Sequence, residues 1–290
     1  MRKDQRGRTR QGHGTGVDRV LILVTNDDGI DAPGIRALAH AVRSRGEVMV
    51  VAPEGNRSAS GHAITLTQRI SVAARPVEPG VRGFAVGGTP VDAVKLALEQ
   101  LLPGPPDLVL SGVNHGSNLG RDVFYSGTVS AAMEAAFMGA PAVAVSLAER
   151  GGAHMEEAAA FVAWWLDHAY RPLPRGVFYN LNLPPLGAGP PPALRITRLG
   201  QRHYLNEFQR QPPSGGRDWY TMAGLADETG EEADTDVAAV AAGFVSVTPL
   251  SIDLTARGTE ETLAPLDQLP VPAGAFRMAS PTPDTLSRTE

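Results

Sequence analysis

The chain has 290 residues, of which 42% are apolar and 20% charged, with a formal net charge of −5 and no cysteine. That composition excludes a wholly disordered or fibrous chain, and the length suits one α/β domain with an appendage. Zero cysteine excludes disulfides, thiolate metal sites and cysteine nucleophiles, a usage that suits the cytoplasm.

The charge is uneven along the chain. Residues 1–19 carry six basic side chains against Asp4 and Asp18, a sum of +4, which leaves −9 for residues 20–290. An acidic body disfavours broad nucleic-acid binding, and the basic leader reads as a disordered segment with no assigned role. No run is long and apolar enough to span a membrane, and the leader opens onto no apolar segment of signal-peptide length, so neither membrane association nor secretion is expected.

From Val20 onward apolar strands alternate with helical segments, the pattern of a doubly wound, mainly parallel, Rossmann-like α/β sheet. Val20–Thr25 is a short buried strand that stops abruptly at Asn26-Asp27-Asp28-Gly29. In an open parallel sheet, ligands gather beyond the carboxyl ends of the strands. Adjacent carboxylates raise each other's pKa, so keeping both ionised at neutral pH calls for a counter-charge, most simply a divalent cation held through oxygen. Gly29 permits the left-handed turn that bends the backbone close to such an ion. Taken alone, however, the tetrapeptide is better read as an Asx turn capping the next helix.

That helix opens at Pro33 and Gly34 and runs to about Arg45; Val48–Ala52 is the second strand, followed by the polar loop PEGNRSASGH (Pro53–His62). Thr89 and Pro90 have the chemistry of a helix start before Val91–Leu102, and Asp107–Ser111 is the next buried strand. Gly112–Tyr125 reads as a loop whose glycines allow tight folding while Asn114 and Asn118 offer amides; it lacks the Gly-Lys-Ser/Thr of a Walker A loop. Ser126, Gly127 and Thr128 precede a helix spanning Thr128–Met138, and their position suits either phosphate binding at a helix N-terminus or plain N-capping. Met133, Phe137 and Met138 read as core.

Strand Ala142–Ser146, helix Met155–His168 and strand Val177–Leu181 continue the alternation until Pro184–Ala193 breaks it. Residues 194–235 are expected to form a hairpin arm used in oligomerisation, 236–256 a helix and strand returning to the 20–193 core, and 257–290 a mostly unstructured tail. His62 and His115 sit in polar segments, where histidine more often makes hydrogen bonds or faces solvent than acts as a general base. Arg57 and Arg121 suit either substrate phosphate or pairing with Asp122.

The blocks TNDDGIDAPGI, APEGNRSASGHAITL, GTPVDAVKLAL, PDLVLSGVNHGSNLGRDVFYSGTVSAAMEAAFMGAPAVAVSL, NLNLP and TDVAAVAAGFVSVTPL together resemble the SurE survival proteins. The resemblance implies a divalent-metal-dependent phosphatase of nucleoside 5′- and 3′-monophosphates, with a C-terminal hairpin exchanged between subunits of a homodimer or homotetramer. It implies one cation per subunit, Mn²⁺, Mg²⁺ or similar, on Asp27, Asp28, Ser58 and Asn114, four residues that spacing alone does not pair. It further implies phosphate binding by Asn118, Ser126, Gly127 and Thr128. The expected chemistry is attack of metal-activated water on the phosphoryl group, with Asp28 also placed to orient or deprotonate that water.

Two other readings compete. A haloacid-dehalogenase phosphatase also places an Asp after its first strand, but needs a second Asp two residues later, where this chain has Gly29. A nucleotide-binding stress protein without turnover would have no need of the intact acidic pair.

Overall fold

The computed structural model describes residues 20–149, 151–187, 192–205 and 208–265, so the basic leader and residues 266–290 of the expected tail lie outside the described residues. The first half of the chain lays down β1 (Leu21–Thr25), α1 (Pro33–Val42), β2 (Glu47–Pro53), β3 (Val72–Ala74), β4 (Arg82–Val86), α2 (Pro90–Leu96), β5 (Leu108–His115) and α3 (Gly127–Phe137). The second half adds β6 (Ala142–Leu147), α4 (Met155–His168), β7 (Val177–Leu183), β8 (Leu194–Ile196), β9 (His203–Leu205), β10 (Phe208–Ser214), β11 (Arg217–Met222), β12 (Leu225–Asp227), α5 (Asp236–Ala241) and β13 (Val245–Ser251). Residues from Asp253 onward form a separate unit, whose described part contains the short helix α6 (Glu260–Leu263).

Nine strands make one sheet in the order β3-β4-β2-β1-β5-β6-β7-β13-β8. The six strands from β4 to β7 run parallel, whereas β3 and β13 pair antiparallel with their inner neighbours. Alternation within each strand divides the core in two. Ile22, Val24, Val48, Val50, Leu110, Val143, Val145 and Leu181 face α1 and α4, while Leu23, Met49, Val51, Val109, Ala144 and Phe178 face α2 and α3. Both faces are covered, so these strands read as continuous apolar runs; each large side chain buried this way contributes about 1.5–3 kcal/mol.

Several element limits differ from the sequence expectation. β5 runs on to His115, so Asn114 and His115 stand on a strand end and not in the loop assigned to residues 112–125. A register shift against β6 between Ser111 and Asn114 lets the strand continue through Gly112, and such irregularities re-aim side chains. β3 and β4 went unread between the polar loop and α2, because β3 is three exposed residues and β4 mixes exposed and buried positions. The helix expected over residues 91–102 is α for Pro90–Leu96 and completes as a π-helical turn, Ala97–Leu101. Phe137 is not core: α3 buries an alanine face (Ala131, Ala132, Ala135, Ala136), and the ring lies exposed off that face, with Met133 and Met138 only partly covered.

β8 joins the sheet edge parallel to β13, and two antiparallel ladders, β10 with β11 and β9 with β12, occupy residues 203–227. Phe208, Trp219, Tyr220 and Met222 of the β10–β11 hairpin are exposed. Among the described residues no helix is long and apolar enough to cross a membrane.

Candidate active site

After β1 the chain passes to β2 and β4 on one side, then returns to place β5 on the other side of β1. That reversal opens a crevice beyond the carboxyl ends of β1 and β5, the position at which doubly wound sheets bind ligands. Asp27 and Asp28 follow β1, and Asn114 ends β5. Ser58 is exposed on the loop after β2, and Ser126 to Thr128 begin α3.

The NDDG turn is locked by its first residue. Asn26 donates its side-chain amide to the Gly29 carbonyl (3.0 Å) and accepts from the Gly29 N–H (3.1 Å). Gly29 takes φ +102°, a conformation that side chains rarely adopt, and a Cβ there would meet the Gly55 backbone at 3.0 Å. The Asx turn and the acidic site are therefore the same object: Asn26 makes the turn, and the turn presents both aspartates.

Asp27 is only 4% exposed and lies against the start of α3, where a Cβ on Gly127 would stand 2.7 Å from the Asp27 Cβ and 2.9 Å from its Oδ2. Thr128 donates its hydroxyl to Asp27 Oδ1. Burial pushes the Asp27 carboxyl up; hydrogen bonding from Thr128 opposes that rise and the neighbouring Asp28 charge reinforces it. The nearest titratable partner of Asp28 is His115, whose Nδ1 lies 3.3 Å from Oδ2. Among the described residues neither aspartate is paired with lysine or arginine.

This donor set fits a hard divalent cation. Two adjacent carboxylates, paired with no lysine or arginine among the described residues, share an edge with a hydroxyl (Ser58) and an amide oxygen (Asn114), all oxygen donors. Asn114 directs its side-chain N–H₂ at the carbonyls of His115 (3.3 Å) and Gly116 (2.8 Å), leaving Oδ1 as its remaining ligating atom. Among the described residues no three Asp, Glu, His or Cys side chains converge as a cage, so a cation here would draw on neutral oxygens as well.

The residues assigned to phosphate are differently employed. Ser126 caps α3 by accepting from the Val129 N–H (3.1 Å), which leaves its hydroxyl proton free to donate. Thr128 is committed to Asp27. Asn118 is buried, donating its amide to Ser146 Oγ (2.7 Å) and its N–H to Asn182 Oδ1 (2.7 Å), while its carbonyl accepts from Asn180 (2.9 Å) and Asn182 (3.1 Å). Asp122 pairs with Arg202 (2.8 Å) and Tyr204 (2.6 Å) and not with Arg57 or Arg121. That hydroxyl is pushed up to about 12, chiefly by burial and then by its bond to Asp122.

Sequence reasoning overlooked the support beneath the loop. Asn114, Ser146, Asn182 and Ser246 fall opposite one another on β5, β6, β7 and β13, making a polar rung across the sheet at the carboxyl ends of β5, β6 and β7. The available signal was Asn180 and Asn182 alternating with leucines inside a buried strand. Asp236 acts similarly from α5, accepting from the N–H groups of Gly120 (2.9 Å) and Gly200 (2.8 Å) and so joining the site loop to the root of the arm.

Fold and site together define an open α/β sheet with an adjacent carboxylate pair at its switch point, set against a helix N-terminus. The family model described as survival protein SurE matches residues 22–206. The chain belongs to that family. It is 47% identical over 247 residues to a Moorella thermoacetica protein named 5′-nucleotidase SurE, covering 84% of this chain and 95% of that one. A Geobacter sulfurreducens protein of the same name is 48% identical over 236 residues, covering 81% and 88%. Among solved structures, the SurE protein from Aquifex aeolicus superposes with a TM-score of 0.72 at 37% identity, covering 85% of this chain and 99% of that one.

Proposed function

We propose that this chain is a divalent-cation-dependent phosphomonoesterase that hydrolyses nucleoside 5′-monophosphates, and 3′-monophosphates, to nucleoside and phosphate. The observation that carries the reading is the adjacent Asp27–Asp28 pair, paired with no lysine or arginine among the described residues and packed against the N-terminus of α3 at the switch point. The names of the relatives support the nucleotide as substrate.

Asp27, Asp28, Ser58 and Asn114 are the residues that would hold one cation, Mn²⁺, Mg²⁺ or similar. When bound, that cation supplies Lewis-acid polarisation of the phosphoryl group and acidifies water. Around it the chain's own groups have separate tasks. Thr128 fixes Asp27, and Asp28 orients the attacking water and accepts its proton. Ser126 Oγ–H and the Gly127 N–H face the phosphoryl oxygens, where a helix terminus favours negative charge, while the Thr128 and Val129 N–H groups are held by Asp27 and Ser126. Asn118 shapes the loop floor from below through its bonds to Ser146, Asn180 and Asn182. Water attacks phosphorus as the ester P–O bond breaks, and the departing alkoxide takes a proton to become the nucleoside hydroxyl. The exposed apolar residues of the β10–β11 hairpin support assembly into a homodimer or homotetramer, measurable by light scattering.

The test is release of phosphate from AMP and from p-nitrophenyl phosphate with Mn²⁺. It is expected to vanish with a chelator and return with added metal; folded protein that releases none across metals and pH overturns the proposal in favour of a binding module. A single turnover in labelled water places the label in phosphate and never in Asp27; label in Asp27 points instead to an aspartyl-phosphate route.

A further inference from the structure

The loop that carries Ser58 is tied down at both sides. Before Ser58, the Arg57 N–H donates to the Asp27 carbonyl (2.7 Å); after it, the Gly61 N–H donates to the Tyr125 carbonyl (3.1 Å). Ala59, between these ties, takes φ +57°, a left-handed conformation that the surroundings must hold. Next along the chain, His62 Nε2 lies 2.8 Å from Glu134 Oε2, and Lys95 Nζ donates to Glu134 Oε1 at 3.0 Å. The three side chains come from the loop, α3 and α2. Glu134 is 7% exposed, a buried carboxylate that the hydrolytic reading does not use. Burial opposes its ionisation, but the bonds and charges of His62 and Lys95 outweigh it and hold the carboxyl below its ordinary value. The His62 ring also stands edge-on to Phe137, 5.7 Å between centroids, which accounts for that phenylalanine outside the core.

The geometry points to His62 and Glu134 as positioning residues: their contact latches the Ser58 loop to the helix whose first turn holds Asp27, setting the distance between the hydroxyl and the acidic pair. This rests on the proposed cation site. A buried carboxylate stripped of one partner is costly, so the latch has a preferred closed state, and Lys95 keeps its anchor ionised from the solvent side. His62 therefore acts through Ser58 and does not serve as a general base.

The test uses the full chain with His62→Ala, His62→Gln and Lys95→Met, read by amide exchange, Mn²⁺ titration calorimetry and kinetics. His62→Ala is expected to speed exchange at Arg57 and Gly61 about tenfold and to weaken Mn²⁺ about tenfold, with kcat at saturating Mn²⁺ within about twofold. His62→Gln, whose amide nitrogen can replace Nε2, restores most of both, and Lys95→Met moves both in the same direction by a smaller factor. Unchanged exchange and Mn²⁺ affinity in His62→Ala, or no recovery in His62→Gln, overturns the latch. If His62→Ala does not fold, Glu134→Gln, which keeps the side-chain volume, is read by the same criteria. A wild-type chain that binds no Mn²⁺ overturns the cation site, and exchange at Arg57 and Gly61 then decides the latch alone.

Discussion

Gly127→Ala adds one methyl at the point where α3 meets Asp27. The backbone accepts it, since residue 127 is not in the left-handed region, and a helix gains about 0.5–1 kcal/mol when alanine replaces glycine. Space does not accept it: the new carbon would lie 2.7 Å from Asp27 Cβ and 2.9 Å from Oδ2. Ordinary carbon contact needs about 3.5–4.0 Å, so the two must part by about 1 Å. Asp27 has little room to retreat, being buried, bonded through its carbonyl to the Arg57 N–H and through its carboxylate to Thr128. Overpacking costs about 1–3 kcal/mol, which the helix gain reduces to about 0–2.5 kcal/mol net in a urea titration. A displacement of about 1 Å at a reacting centre costs about 10²-fold, so kcat/KM for AMP with saturating Mn²⁺ is expected to fall by that factor. Gly55→Ala is the control, because a Cβ there meets nothing within 4 Å, and it should leave both readouts unchanged. A folded Gly127→Ala protein with kcat/KM within about threefold of wild type would refute the reasoning, since Asp27 would then tolerate a shift that the site cannot afford.

Asp28→Asn should weaken Mn²⁺ binding and lower turnover by about 10²-fold or more, whereas near wild-type Mn²⁺-dependent turnover removes Asp28 from the site. At Asp92, burial raises the carboxyl, but hydrogen bonds from Thr65 and Thr89 outweigh it and leave the folded-state pKa below the ordinary 3.8. The unfolded chain then binds the proton more readily, so the contribution of Asp92 is present above pH 3.8 and lost as pH falls through the lower folded value. Urea midpoints measured on acidification should flatten in Asp92→Asn; an unchanged slope contradicts this. Asn182→Ala leaves the buried Asn118 N–H unsatisfied, for about 1–3 kcal/mol in urea and a higher KM for AMP; a silent substitution shows that the rung does not support the loop.

The parallel core was legible because its strands are buried on both faces and therefore apolar throughout, and because Thr89, Ser126 and Thr235 cap the helices they precede. β3 was not, since three exposed residues carry no periodic signal, and the end of β5 was hidden because Gly112, Asn114 and His115 look like loop. NDDG announced an acidic turn after β1, and Asn26 supplies that turn, but the turn caps no helix: α1 begins after Ala32, which makes no side-chain cap, so the expected capping role is not found. Bringing Ser58 and Asn114 to that turn needs the strand order β2-β1-β5, a tertiary fact with no local trace. The grouping of these four residues therefore comes from the family resemblance and not from spacing.

The head of α3 is where the sequence reading changes most in substance. A helix terminus offers about half a unit of positive charge, and the sequence suggests spending it on substrate phosphate. In the structure Asp27 already leans on that terminus, with Gly127 kept bare to admit it and Thr128 bonded to it. A buried anion and a phosphoryl dianion compete for so small a charge. A divalent ion held by the acidic pair, as proposed above, would relieve that competition once substrate arrives. Phosphate binding should therefore depend on metal: inorganic phosphate is expected to bind measurably by calorimetry with Mn²⁺ and not with a chelator. Equal binding in both conditions would mean that α3 and its neighbours suffice alone, and that the acidic pair is not the electrostatic centre of the site.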